Sequence, residues 1–168
     1  FHEYILRFGF GKRPNSGIAA EASGRVIAPK KWQTIDHANI SFGQAILVSP
    51  LQMVSAANVF ANDGKWVPPY IVEYLRDNNG KILNKIWRND GKVKKYFGKG
   101  KKSQVVEESV AKLVKEYLIS VTERGGTAEK AAIKGYQIAG KTGTSQIYDQ
   151  HLGRYSKTRY IASFVGFA

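Results

Sequence analysis

The tetrapeptide Lys141-Thr142-Gly143-Thr144 sets an ammonium, two hydroxyls and a residue without a side chain in succession. A lysine ammonium near a nucleophile supports proton movement and attracts a carboxylate, and a glycine lets a ligand lie close against the backbone. A Lys-Thr-Gly triplet also arises by accident at solvated strand ends, so these residues alone leave both readings open. Ser109-Val110-Ala111-Lys112 has a serine and a lysine one helical turn apart. It falls inside an amphipathic stretch and reads as a coincidental pattern on a helix face. The three histidines, His2, His37 and His151, are far apart and lack an identifiable partner, so they read as surface or loop residues. The absence of cysteine excludes thiol catalysis, disulfides and cysteine-ligated zinc, and neither a metal site nor a cofactor is expected.

The tetrapeptide needs a strand to hold it. Gly135 to Gly143 is expected as that strand, with Tyr136 and Ile138 on one face, and Tyr160 to Ala168 as a second strand of the same sheet. Between them, Tyr148 to Tyr155 contains Asp149, His151 and Arg154 and either borders a substrate groove or forms an exposed turn. Upstream, Arg124-Gly125-Gly126-Thr127 breaks an amphipathic helix predicted over about 105 to 123. Its apolar stripe runs through Val106, Val110, Leu113, Val114, Tyr117, Leu118 and Val121, with Glu107 and Glu108 at its positive end. Ser49-Pro50-Leu51-Gln52 combines an N-cap serine, a first-turn proline and a glutamine three residues after the cap, which predicts a largely buried helix from about 50 to 62. Apolar residues at 1, 4, 5 and 8 predict another helix, ended by Gly9. Residues 9 to 36, rich in Gly, Pro and Ser, read as an extended, turn-filled connection. Short β-rich runs from 66 to 97, separated by Asn78-Asn79-Gly80 and Asn89-Asp90-Gly91, read as a hairpin or meander.

With 168 residues, 43% hydrophobic and 23% charged, the chain is one globular domain or a piece of a larger one. Lys and Arg number 26 against 13 Asp and Glu, a formal +13. The segment from Arg76 to Lys102 carries ten of those cations against Asp77 and Asp90. Such an excess suits nucleic acid, an anionic membrane surface or an anionic cell-wall polymer, and charge alone selects none of them. Lys92, Lys94, Lys95, Lys99, Lys101 and Lys102 read as a solvated face, with contact to an anionic polymer as the alternative. No apolar run approaches the roughly 20 residues that cross a bilayer, so no membrane contact is expected of these residues themselves.

Further segments place the tetrapeptide in a larger pattern. Phe8-Gly9-Phe10-Gly11 and Glu21-Ala22-Ser23-Gly24 come first. Ser41-Phe42-Gly43-Gln44 follows, with Val48-Ser49-Pro50-Leu51-Gln52 through Ala61-Asn62-Asp63-Gly64 and Val67-Pro68-Pro69. Gly125-Gly126-Thr127, Ala139 to Ser145, and Ala162-Ser163-Phe164-Val165-Gly166-Phe167 complete the series. On these segments the chain resembles class B penicillin-binding proteins, the peptidoglycan D,D-transpeptidases, over nearly its whole length. Residues 76 to 102 are the least diagnostic part. Class D β-lactamases and β-lactam sensors share the triplet, but the stretch from Ser41 to Pro69 resembles a transpeptidase.

The resemblance implies an α+β fold, a mainly antiparallel sheet covered by helices, in which residues 1–168 form the C-terminal portion of one transpeptidase domain. It implies that Lys141 is catalytic and bonds to the serine of a Ser-x-Asn motif. The Thr142 and Thr144 hydroxyls would hold the carboxylate of a D-Ala-D-Ala stem peptide or a β-lactam. The Thr144 N–H would be one of two oxyanion donors, and Gly143 would act sterically. The family's Ser-x-x-Lys nucleophile belongs before Phe8, and Ser55-Ala56-Ala57-Asn58 has one residue too many for Ser-x-Asn. The expectation is therefore an incomplete site with no nucleophile in this chain, inactive alone, poorly stable or self-associating because apolar surface is uncovered. By resemblance the parent protein works in the periplasm, at the outer face of the bacterial inner membrane, anchored by a segment outside these residues. A non-catalytic scaffold that binds cell-wall or division proteins is the alternative. A nucleic-acid partner is not expected, because the lysines of the basic segment are not interleaved with a recognisable stacking platform or groove-reading helix.

Overall fold

The computed structural model describes residues 1–168 apart from 19, 72–74, 84–85, 88–92 and 95–102. Among the described residues four α-helices form: α1 (His2–Arg7), α2 (Thr34–Ser41), α3 (Pro50–Ala61) and α4 (Glu108–Ser120), with short 3-10 turns at Pro29–Lys31 and Glu129–Ala131. Strand β1 (Lys65–Trp66) pairs with β6 (Ser103–Gln104), β2 (Leu75–Arg76) with β3 (Ile82–Leu83), and β4 (Ile86–Trp87) with β5 (Val93–Lys94). The long strands β7 (Ala139–Asp149) and β8 (Arg154–Phe167) pair with each other. Every one of these pairs is antiparallel, and with the helices they make the expected α+β class.

Helix α3 forms as its sequence predicts. The Ser49 hydroxyl accepts from the Gln52 N–H at 3.2 Å while the Gln52 side-chain oxygen accepts from the Ser49 N–H at 2.8 Å, a reciprocal cap behind Pro50. Its buried residues, Gln52, Ser55, Ala56 and Val59, follow the i, i+3, i+4, i+7 stripe. Only that face is buried, since Val54 is 59% exposed. Helix α1 ends as expected at Gly9, whose N–H bonds to the Leu6 carbonyl and whose φ is +90°. A Cβ there would lie 2.7 Å from the Trp66 indole nitrogen, so packing as well as backbone conformation calls for glycine.

Several expectations need correction. The strand predicted from Gly135 starts at Ala139: Gly135 adopts φ +88° in a turn closed by the Tyr136 N–H on the Ile133 carbonyl, and Tyr136 lies exposed. The exposed turn expected within 148 to 155 is confined to 150–153, because the strands run to Asp149 and resume at Arg154. The connection expected through residue 36 gives way to α2, started by the Asp36 carboxylate accepting the Gln33 N–H at 2.7 Å. Helix α4 begins at Glu108; Val105 before it lies outside the helix and is buried, its N–H on the Gly64 carbonyl at 2.8 Å. The fully buried residue of α4 is Ala111, while Val110, Leu113 and Tyr117 of the expected apolar stripe remain exposed. The small Ala111 side chain suits close approach of packed helices, and larger side chains flank it. The turn expected at Asn89-Asp90-Gly91 lies outside the described residues, as do Lys92, Lys95, Lys99, Lys101 and Lys102.

The turn-rich segment after α1 is held by polar side chains. Glu21 accepts the N–H groups of Asn15 and Ser16 at 2.7 and 2.6 Å, together with the Ser16 hydroxyl. Gln52, 2% exposed, donates to the carbonyls of Lys12 at 2.8 Å and Ser23 at 3.0 Å. One glutamine thereby fastens two remote stretches of loop to the start of α3. Helix α3 packs on α4 and β8, and α4 packs on β7, which seats the hairpin against the helices.

Candidate active site

The pairing of β7 with β8 sets Lys141 opposite Val165, Thr142 opposite Phe164, Gly143 opposite Ser163 and Thr144 opposite Ala162. Strand alternation puts Lys141 and Gly143 on one face, Thr142 and Thr144 on the other. Lys141 borders a cleft of about 370 Å³ between α3, α4 and the hairpin, whose walls include Phe8, Phe60, Val114, Leu118 and Phe167. Its ammonium donates to the Thr142 carbonyl at 2.7 Å and forms no ion pair among the described residues. A Cβ at Gly143 would sit 2.7 Å from the Ser163 hydroxyl, itself 3.4 Å from the Gly143 carbonyl. The bare backbone at Gly143 leaves room for that hydroxyl.

Thr142 has a partner from outside the hairpin. Its hydroxyl lies 3.3 Å from the Thr127 hydroxyl, in the turn that follows α4. That turn is closely fitted: the Ala128 N–H bonds to the Val121 carbonyl at 2.9 Å, and a Cβ at Gly126 would fall 2.3 Å from the same oxygen. Just before it, the Thr122 side chain is buried, its hydroxyl 2.6 Å from the Ile138 carbonyl and 3.0 Å from the Ile119 carbonyl. Thr122 thus links the end of α4 to the residue preceding β7, and Thr127 meets the tetrapeptide one turn later.

The other candidate residues stand apart from this arrangement. Ser109 is exposed, and the Lys112 ammonium bonds to Glu108 at 2.5 Å, so the serine and lysine do not form a couple. His37 packs edge-on against Trp32 with ring centroids 4.6 Å apart, and His2 contacts the same indole at 5.8 Å. His151 occupies the hairpin turn, where its N–H bonds to Asp149 at 3.0 Å; the other Asp149 oxygen accepts from Arg159 at 2.7 Å. None of the three histidines lines the cleft beside Lys141. Among the described residues no group of three or more acidic or histidine side chains could hold a metal ion.

The family model for the penicillin binding protein transpeptidase domain matches residues 1–168. The chain belongs to this family. Penicillin-binding protein PbpB of Mycolicibacterium smegmatis is 32% identical over 174 residues, which cover 100% of this chain and 25% of that protein. Stage V sporulation protein D of Bacillus subtilis is 33% identical, covering 99% of this chain and 24% of that protein. Among solved structures, penicillin binding protein 3 of Mycobacterium tuberculosis superposes with a TM-score of 0.81 at 30% identity, over 99% of this chain and 36% of that one. That protein has also been crystallised with ampicillin and with aztreonam. The transpeptidase-domain chain spans about a quarter of the length of these two curated relatives.

Within this transpeptidase domain, sequence reasoning placed the tetrapeptide but gave no role to Thr122, and it noted Thr127 only as part of a Gly-Gly-Thr match. The available signal for Thr122 was a hydroxyl four residues after Leu118, on the apolar side of a predicted helix, where a polar group needs a partner. For Thr127 no local signal exists, because its partner lies fifteen residues on and only the packing of α4 against β7 brings them together.

Proposed function

We propose that residues 1–168 are the Lys-Thr-Gly-bearing C-terminal portion of a class B D,D-transpeptidase domain. The parent protein joins peptidoglycan stem peptides by serine acyl transfer and is acylated by β-lactams. The observation that carries this reading is the placement of Lys141 at a strand position bordering an open cleft, with Thr142 next to it in sequence on the strand's other face. In the reaction, a serine supplied from outside these residues attacks the carbonyl of the penultimate D-Ala. Lys141, through a neighbouring serine, supports the proton transfers as the terminal D-Ala amine leaves. Thr142 and Thr144 hydroxyls hold the terminal carboxylate, and the Thr144 N–H stabilises the oxyanion, an interaction worth about 3 kcal/mol in comparable sites. An amine of a second stem peptide then takes the acyl group and releases the serine. No cofactor takes part in this scheme.

Taken alone, the chain lacks the nucleophile and is inactive on this reading. The apolar cleft beside Lys141 supports the view that another part of the domain completes the site. Among the described residues no helix is long and apolar enough to cross a membrane. The proposed workplace is the extracytoplasmic side of the bacterial inner membrane, where the polymer lies.

Intact-mass measurement after incubation with benzylpenicillin tests the reading. The full-length protein should gain a single covalent adduct, the 168-residue chain none, and Lys141→Ala in the full-length protein should slow acylation by about 100-fold or more. An adduct on the chain by itself, at Ser109 or elsewhere, would overturn the assignment, as would normal acylation of Lys141→Ala.

A further inference from the structure

A second cleft, of about 630 Å³, opens between α1 and the segment that follows β1, and it includes none of the tetrapeptide. Arg7, Lys12 and Arg13 stand along one side and Trp66, Pro68 and Tyr70 along the other. None of those three cations takes part in an ion pair among the described residues. Among the described residues Glu3 is the one carboxylate in the wall. Glu21, near enough to feel the Arg13 charge, is already closed by Asn15 and Ser16. The framework beneath the cations is fixed: the Lys12 carbonyl accepts from Gln52, and the Arg7 guanidinium bonds to the Gln104 carbonyl at 2.8 Å.

One more feature describes what would fit. At the Tyr70 end the surface continues into apolar side chains. Ile71, 62% exposed, bonds through its N–H to the Ser16 carbonyl and lies against Gly17, beside Ile18, 50% exposed. Lys12 and Arg13, without ion-pair partners among the described residues, stand beside an aromatic and aliphatic wall and complement carboxylates followed by apolar side chains on one strand of polypeptide.

We propose that this cleft is an interaction surface for an acidic segment of a partner protein. Its carboxylates meet Lys12 and Arg13, and its apolar side chains cover Tyr70 and Ile71. The surface is separate from the transpeptidase chemistry, so its occupation does not require β-lactam or stem peptide.

Fluorescence anisotropy on the full-length protein decides the matter, using a fluorescein-labelled ten-residue peptide of glutamate, proline and leucine and the same peptide with glutamine in place of glutamate. The glutamate peptide should bind at least about tenfold tighter than the glutamine peptide, and Lys12→Glu with Arg13→Glu should weaken it by at least about tenfold. Lys115→Glu with Lys134→Glu makes the same change in net charge elsewhere and should alter binding less than about twofold. If the paired charge reversal lowers the melting temperature, Tyr70→Glu, which places a carboxylate at an exposed part of the wall, should give the same loss. Equal weakening by both pairs of reversals would reduce the effect to general charge and overturn the proposal. Equal binding of the two peptides, no binding at all, or tighter binding of a single-stranded oligonucleotide at the same residues would also overturn it.

Discussion

Gln52→Leu should be far more damaging than a change between side chains of similar size ordinarily is. The side chain is 2% exposed and makes three hydrogen bonds, accepting from the Ser49 N–H and donating to the carbonyls of Lys12 and Ser23. Leucine keeps the volume and gains some transfer free energy, but it strands one N–H and two carbonyls in a part-buried setting. At about 1 kcal/mol for each stranded group, the low end for such losses, the substitution costs about 3 kcal/mol. For a domain of this size that is a fall of roughly 6–12 °C in melting temperature. Hydrogen exchange adds location: the Arg25 and Leu47 amides, which bridge the same loop to the chain before α3, should lose protection together. Gln52→Glu sharpens the test. Its carboxylate would face two carbonyls, so folding raises its pKa, and its stability falls further as pH rises through that folded value. Stability partly returns as pH drops and the proton restores a donor. A Leu variant within about 1 kcal/mol of the parent, or a Glu variant that gains nothing on acidification, would show that the clasp is incidental.

Thr122→Val removes the hydroxyl between the Ile119 and Ile138 carbonyls and should cost about 1–2 kcal/mol by thermal melt, whereas Thr122→Ser should recover most of it. Burial works against ionisation of Glu21, yet the hydrogen bonds from the Ser16 hydroxyl, the Ser16 N–H and the Asn15 N–H, with the nearby Arg13 charge, hold its carboxyl below the ordinary 4.5. A depressed carboxylate contributes stability above its unfolded pKa and loses it as pH falls through the folded one. The stability difference between the parent and Glu21→Gln should therefore be full near neutrality and shrink below about pH 4.5, which paired melts across pH would record.

Helix α3 was legible because everything that starts it is local: serine, proline and glutamine occupy the cap, first and third positions, and the bonds between serine and glutamine span three residues. The tetrapeptide was legible for a different reason, as its residue types carry the chemistry wherever the strand begins. The start of that strand was misplaced because Tyr136 and Ile138 alternate like a strand, whereas Gly135 takes a left-handed turn. The second function of Gln52 was out of reach for sequence reasoning, since its partners lie 40 and 29 residues away and nothing local announces them. The exposed stripe of α4 shows the limit of periodicity. It marks an apolar face correctly without saying which described residue, if any, covers each position.

The turn at 150–153 is the only covalent loop that β7 and β8 must close to find each other, and their register then runs from Asp149 and Arg154 back to Ala139 and Phe167. Closing so short a loop carries a small entropic penalty, and hairpins of this kind zip in about 1–10 μs. The hairpin bearing Lys141 can therefore be an early folding unit whose ladder owes little to the rest of the chain. Its attachment at Thr122 and Thr127 instead depends on α4 already being in place. On this ordering, substitutions along the ladder slow folding, with φ-values toward one, while Thr122→Val chiefly speeds unfolding; the reverse pattern would refute it. The chemistry-bearing strand would then take its shape first and its position last.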